Sequence, residues 1–150
     1  MLDLQGNVAL TYHTLGRTDE ALRIRRDVHS GQTRLEGPSH FATLIAALNL
    51  STSLVAAGDF AEARDFMQGQ MALAKRALGS DHPLTLDFQW GYARTFTRDK
   101  DVTAEELGEI VATLEKTLET AQRVLGEHPQ TCNIRRELAF ARERIASRGA

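Results

Sequence analysis

Apolar residues recur along most of the chain at steps of three and four, the spacing of one face of a helix. The clearest stripe is Leu107, Ile110, Val111, Leu114, Leu118, Ala121 and Leu125. Ala63, Phe66, Met67, Met71, Ala74 and Leu78 form a second stripe, and Ala21, Ile24, Val28 and Leu35 a weaker third. Between them lie richer apolar segments: Leu4 to Leu15, Leu44 to Val55, and Leu86 to Phe96. The pattern predicts helices over 2–15, 18–36, 40–57, 60–78, 83–98, 103–125 and 129–147, and no strand. Gly16 and Gly58 stand where helices end, because glycine enters the left-handed region without a Cβ clash. Thr103 with Glu106, and Asp59 with Glu62, have capping-box spacing. Ser30 and Gly31 interrupt the helix over 18–36. A mid-helix glycine costs about 1 kcal/mol relative to alanine, so this helix is expected to be the least stable.

The chain repeats itself. A shift of 42 positions pairs Asn7 with Asn49, Gly16 with Gly58, Glu20 with Glu62, and Ala21 with Ala63. It also pairs Arg34 with Arg76, Gly37 with Gly79, His40 with His82, Thr43 with Thr85, and Leu44 with Leu86. Ordinary composition gives about two or three chance identities over such a window. Gly126, His128, Pro129 and Thr131 echo the same signature, with one residue fewer between glycine and histidine. Extra residues around 98–106 lengthen the third unit. The expected architecture is all-α, a solenoid of stacked antiparallel helix pairs with about seven helices. Its repeats run over about 2–38, 39–80 and 81–127, with a terminal capping helix over 128–148, as one domain or a piece of a larger protein.

These residues resemble the tetratricopeptide repeats of kinesin light chains. The resemblance rests on Asn7-Val8-Ala9, Gly16-Arg17 and Glu20-Ala21, then on Asn49-Leu50, Gly58 and Glu62-Ala63. Leu78-Gly79, His82-Pro83 and Thr85-Leu86 continue it, as do Leu125-Gly126, His128-Pro129 and Thr131. Phe41 replaces the family's proline, Ser51 a small alanine, and Gly91 the asparagine. The resemblance implies a right-handed superhelix and a protein-binding role. Nothing resembles the heptad coiled coil of kinesin light chains. The phosphate-binding glycine loop of signalling ATPases with related repeats is also lacking.

Composition narrows the function classes. With 18 Lys and Arg against 20 Asp and Glu, the formal net charge is −2. That gives no general reason to expect nucleic acid or an anionic membrane as partner. Cys132 stands alone, so no internal disulfide framework is expected. The start of the chain has no secretory pattern and no run reaches a membrane span, so a cytoplasmic location is the expectation. His40, His82 and His128 occupy equivalent positions in units stacked about 10 Å apart, which suits a turn-opening role rather than a shared metal. His128 lies one helical turn before Cys132, but no further group completes a nucleophilic site. No catalytic residue, metal ligand or cofactor is therefore expected.

The resemblance places the first helix of each unit on a concave groove. One face of these helices carries Asp3, Asn7, Leu10 and Thr14, then Ile45, Asn49, Thr52 and Ala56, then Asp87, Gly91, Arg94 and Arg98. Asn7 and Asn49 match family asparagines, and an amide both donates to and accepts from a peptide backbone. Arg94 and Arg98, four residues apart, suit an acidic side chain or a terminal carboxylate. The candidate groove residues are Asn7, Leu10, Asn49, Thr52, Arg94 and Arg98. The competing reading braces neighbouring repeats with the asparagines and leaves the arginines solvated. Arg135, Arg136, Arg142, Arg144 and Arg148 make the last helix a polar cap rather than a nucleic-acid surface. The expected function is a non-catalytic scaffold binding a peptide segment of another protein. The alternatives are a self-associating module that stacks end to end, and a C-terminal regulatory part of a larger nucleotide-binding signalling protein.

Overall fold

The computed structural model describes residues 16–149. Six helices fill this span: α1 (Thr18–Glu36), α2 (Phe41–Ala57), α3 (Phe60–Leu78), α4 (Pro83–Thr97), α5 (Ala104–Leu125) and α6 (Pro129–Arg148). Each expected boundary in this range is met to within one residue. The helix expected over 2–15 lies outside the described residues.

Each helix packs against the next in sequence, and α2–α4 and α4–α6 also touch directly. No comparably close pairing links α1 to α3 or α3 to α5. Closer approach among the first helices of each unit curves the stack and puts α2, α4 and α6 on its inner side. The core is divided at the joints between units, as a solenoid requires. Leu50, Leu54 and Ala63 pack at one joint; Leu44, Ala74 and Phe88 at another; Leu86, Leu114, Ile134 and Leu138 at the last. Burying a side chain of this size stabilises by about 1.5–3 kcal/mol.

The repeated signature has a physical reading at the turns. Gly37, Gly79 and Gly126 all have positive φ, at 89°, 94° and 60°. The histidine that follows accepts a backbone N–H at its Nδ1: His40 from Ala42 at 3.3 Å, His82 from Leu84 at 3.1 Å, and His128 from Gln130 at 3.2 Å. These imidazoles are N-caps of the inner helices, satisfying a donor the helix itself leaves open. Three residues on, Thr43 and Thr85 donate their hydroxyls to the carbonyls of Gly37 and Gly79, both at 2.8 Å. In the last copy the shorter glycine–histidine spacing breaks this bond, and Thr131 reaches the Ala121 carbonyl at 3.5 Å instead.

Of the two expected capping boxes, one forms. Thr103 accepts from the Glu106 N–H at 3.2 Å while Glu106 accepts from the Thr103 N–H at 2.7 Å. Asp59 makes no side-chain cap. Gly58 turns at φ 82°, and the Asp59 N–H is spent on the Leu54 carbonyl at 3.0 Å. Glu62 instead pairs with Arg26 of α1 at 2.7 Å.

The extra residues of the third unit form a tied-down turn. Val102 is buried there. Arg144 donates from Nη1 to the carbonyls of Phe96, Thr97 and Asp99 at 3.0, 2.7 and 3.1 Å. Arg148 donates to the carbonyls of Val102 and Lys100. A cationic donor at the carbonyl end of α4 also complements the helix dipole.

Candidate peptide-binding face

The inner helices share a register. Asn49, Gly91 and Glu137 each stand nine positions after a capping histidine, His40, His82 and His128. Asn7 and Leu10 lie outside the described residues. Asn49 is exposed, and its carboxamide makes no hydrogen bond among the described residues. Its backbone carbonyl accepts from Arg25 Nη1 at 2.8 Å, which fastens α1 to α2. The cleft beside it, lined by Arg25, Val28, Ala46 and Asn49, holds about 20 Å³, room for about one water. Thr52 is exposed and donates to the Leu48 carbonyl at 3.0 Å.

One unit further along, α4 and α6 border an open groove of about 370 Å³. Arg94 and Arg98 line it, with Trp90 from the same helix and Asn133, Arg136, Glu137 and Phe140 from α6. The structure therefore brings the two predicted arginines together, while Asn49 and Thr52 sit on α2 and do not line this groove. Glu137 lies at its base with a side chain only 4% exposed. It accepts from the Thr97 hydroxyl at 2.5 Å and from Arg98 Nη2 at 3.3 Å. Arg94 Nε stands 4.0 Å from the same carboxylate. That is an ion pair by distance but too long for a hydrogen bond, and Arg94 Nε is left buried without an acceptor.

Aromatic rings back both guanidiniums. Arg94 Cζ lies 5.2 Å from the Trp90 ring centre, and Arg98 Cζ lies 4.7 Å from that of Phe140. Cation–π contact of this kind holds a cation in place. Burial pulls the Arg94 pKa below its ordinary value, Glu137 opposes that shift and Arg98 adds to it. Asp87, on the predicted stripe, turns to a different partner. It accepts from Gln130 Nε2 at 2.6 Å, and the same amide donates to the Pro83 carbonyl at 2.6 Å. Burial raises the Asp87 pKa, with Gln130 and His128 acting against it. Asp87 is thus an α4–α6 brace rather than a free groove residue.

Sequence reasoning missed Glu137, Asn133, Arg136 and Phe140 as groove residues, because the last helix reads as a polar cap. The register of Asn49 carried forward through the histidines would have found Glu137. A second cleft of about 270 Å³ lies between α3, α4 and α5, lined by Met71, Lys75, Tyr92 and Lys116 among others. Among the described residues, no group of three or more His, Cys, Asp or Glu is placed to hold a metal ion. No helix there is long and apolar enough to cross a membrane.

Helix pairs stacked with their first members on an inner, groove-bearing face form an α-solenoid of tetratricopeptide-like architecture. The sequence model of the family described as tetratricopeptide repeat matches residues 1–68. Two similar crystal structures are described as Podosopora anserina kinesin light chain, nearly identical TPR-like repeats, one of them a single-substitution variant. Their TM-scores are 0.60 and 0.61, each at 22% identity, covering 99% of this chain and 88% of theirs. At that identity the likeness shows the fold, and it carries the tetratricopeptide-like architecture past residue 68. No curated protein matches the chain. The resemblance to kinesin-light-chain-like repeats read from the sequence is borne out.

Proposed function

We propose that the chain is a non-catalytic scaffold that holds a peptide segment of another protein along its inner face. Asn7, Leu10, Asn49, Thr52, Arg94 and Arg98 are the contacting residues of this reading. The observation that supports it best is the groove of about 370 Å³ between α4 and α6, lined by Arg94 and Arg98. It lies on the same helical layer as the exposed, unbonded carboxamide of Asn49. An amide reads a peptide bond without reading sequence, and the arginines add a preference for negative charge.

Site-specific photo-crosslinking tests the reading. A benzophenone side chain placed at Thr52 or Asn133 reports the inner face, and one placed at Lys116 reports the opposite cleft. Crosslinks to one partner from Thr52 and Asn133, reduced by Asn49→Ala, are expected. Crosslinks only from Lys116 would move the binding surface outward and end the groove reading. Crosslinks only to a second copy of the chain would replace it with self-assembly.

A further inference from the structure

The groove between α4 and α6 has more donors than its own residues satisfy. Arg94, Arg98 and Arg136 face it with Glu137 as the one carboxylate in its lining, which leaves two positive charges in excess. Glu137 is already committed. One oxygen takes the Thr97 hydroxyl and the other takes Arg98. Arg136 makes no hydrogen bond or ion pair among the described residues. The indole Nε1 of Trp90 and the Nε of Arg94 are both buried with no acceptor. Both atoms are closed off from the groove, so the donors open to a ligand are the terminal guanidinium nitrogens of its three arginines.

We propose that this end of the groove is a phosphoryl subsite, and that the segment it holds is a phosphorylated peptide. The inference rests on the peptide-binding reading above and names the ligand class of its α4–α6 end. A phosphoserine or phosphothreonine brings close to two negative charges and three strong acceptor oxygens near neutral pH. That matches the two positive charges the lining leaves in excess. A single carboxylate does not match it, because it leaves one positive charge unbalanced. Trp90 and Phe140 stand behind Arg94 and Arg98, so two of the cations are ordered before the ligand arrives, which lowers the entropy lost on binding. Glu137 fixes their spacing and prevents the arginines from drifting apart by mutual repulsion.

The experiment uses the full chain and three fluorescent peptide pools, degenerate around a fixed central phosphoserine, serine or glutamate, at near-physiological salt. The phosphoserine pool is expected to bind at least about tenfold tighter than the serine pool, with the glutamate pool recovering only a small part of the difference. Arg136→Ala should remove most of that preference. Because Arg136 makes no internal bond, the variant keeps its fold, which circular dichroism checks. Asn49→Ala should weaken all three pools by the same factor. Equal binding of the glutamate and phosphoserine pools would overturn the phosphoryl subsite. So would a preference that survives in Arg136→Ala. If all pools bound alike and Asn49→Ala weakened them, the peptide groove would stand and the phosphoryl inference alone would fall. Binding of no pool would sink both. Inorganic phosphate is the last arm: competition at the same concentration as the peptide itself would show a free-anion site and overturn the peptide assignment.

Discussion

Replacing Glu137 by alanine should loosen α6 before any other helix. The carboxylate is 4% exposed and ties the terminal helix to the end of α4 through Thr97 and Arg98. Removing one member of a fully buried ion pair costs about 3–5 kcal/mol, because the abandoned charge stays behind. Here the abandoned charges have an escape. The side chains of Arg94 and Arg98 are 31% and 41% exposed, so water recovers part of the loss. Thr97 is almost wholly buried, and its hydroxyl can fall back only on the Arg94 carbonyl at 3.4 Å. Exchanging the Glu137 acceptor for that long bond costs about 1–2 kcal/mol, and the lost methylene packing adds about 1 kcal/mol. The expected net cost is about 2–3 kcal/mol. Glu137→Gln keeps an acceptor for Thr97 and the same volume, and should cost about 1 kcal/mol. Hydrogen exchange read by mass spectrometry reports the change helix by helix, which suits a solenoid whose end units open locally. Faster exchange confined to α6 and the end of α4 is expected. Equal protection in Glu137→Ala and wild type, or equal effects of the Ala and Gln variants, would refute the assignment.

Other perturbations have defined outcomes. Arg64 donates to the Thr95 carbonyl at 2.9 Å and to Asp99 at 2.7 Å, and lies over the Phe96 ring; Arg64→Ala should cost about 1.5–3 kcal/mol in urea titration, and Arg64→Lys should restore less than half of it because the planar fork is lost. His82→Ala removes the cap on the Leu84 N–H and should cost about 1 kcal/mol, read as a lower urea midpoint at unchanged slope. Burial holds the His29 pKa below its ordinary value; the unfolded chain then takes up the proton first, so stability is full above about pH 6.5 and falls as the pH drops through the folded value. His29→Phe should flatten that part of a Tm–pH curve. Burial opposes ionisation of Asp99, but the Asp101 N–H, Arg64 and Arg144 more than offset it and leave the pKa lowered; its contribution is present above about pH 4 and is lost further into acid, a second descent that Asp99→Asn should remove. Gly91→Ala places a Cβ 3.1 Å from Met67 Cε; a gain of about 1 kcal/mol in helix propensity opposes the shift of a flexible thioether, so thermal melting should show a change between zero and that gain.

The helices were legible because each buries one stripe against a neighbour, and a stripe of period 3.6 survives in the sequence whatever the neighbour is. The histidine caps were legible for a related reason. They recur at one place in each unit, and only a local role repeats at each unit's pitch. Asp59 misled because capping-box spacing says nothing of the backbone angle. Asp59 has ψ 58°, outside the extended region of the caps that do form, and its side chain accepts no helix N–H. The groove was half legible. Arg94 and Arg98 share a helix, so their spacing alone makes them neighbours. Glu137 lies 39 residues from Arg98, and on its own helix it sits among arginines, which reads as a solvated face. Only the direct contact of α4 with α6 turns that residue inward.

The five arginines of α6 show how a charged surface is divided between folding and binding. Arg135 pairs with Glu127 at 2.8 Å, and Arg142 with Glu115 at 2.6 Å. Those exposed pairs are worth little individually, but they account for two of the cations. Arg144 and Arg148 are spent on backbone carbonyls at the end of α4 and in the turn after it. That turn carries the residues inserted in the third unit, whose orphan carbonyls need donors that the regular repeat does not supply. The insertion therefore explains why the last helix is so basic. Four of its arginines have an internal partner, and a positively charged helix need not imply a nucleic-acid surface. Arg136 has no such partner among the described residues, and it faces the groove beside Glu137. Structural demand accounts for the other four and not for this one, which is why the proposed phosphoryl contact is tested at Arg136.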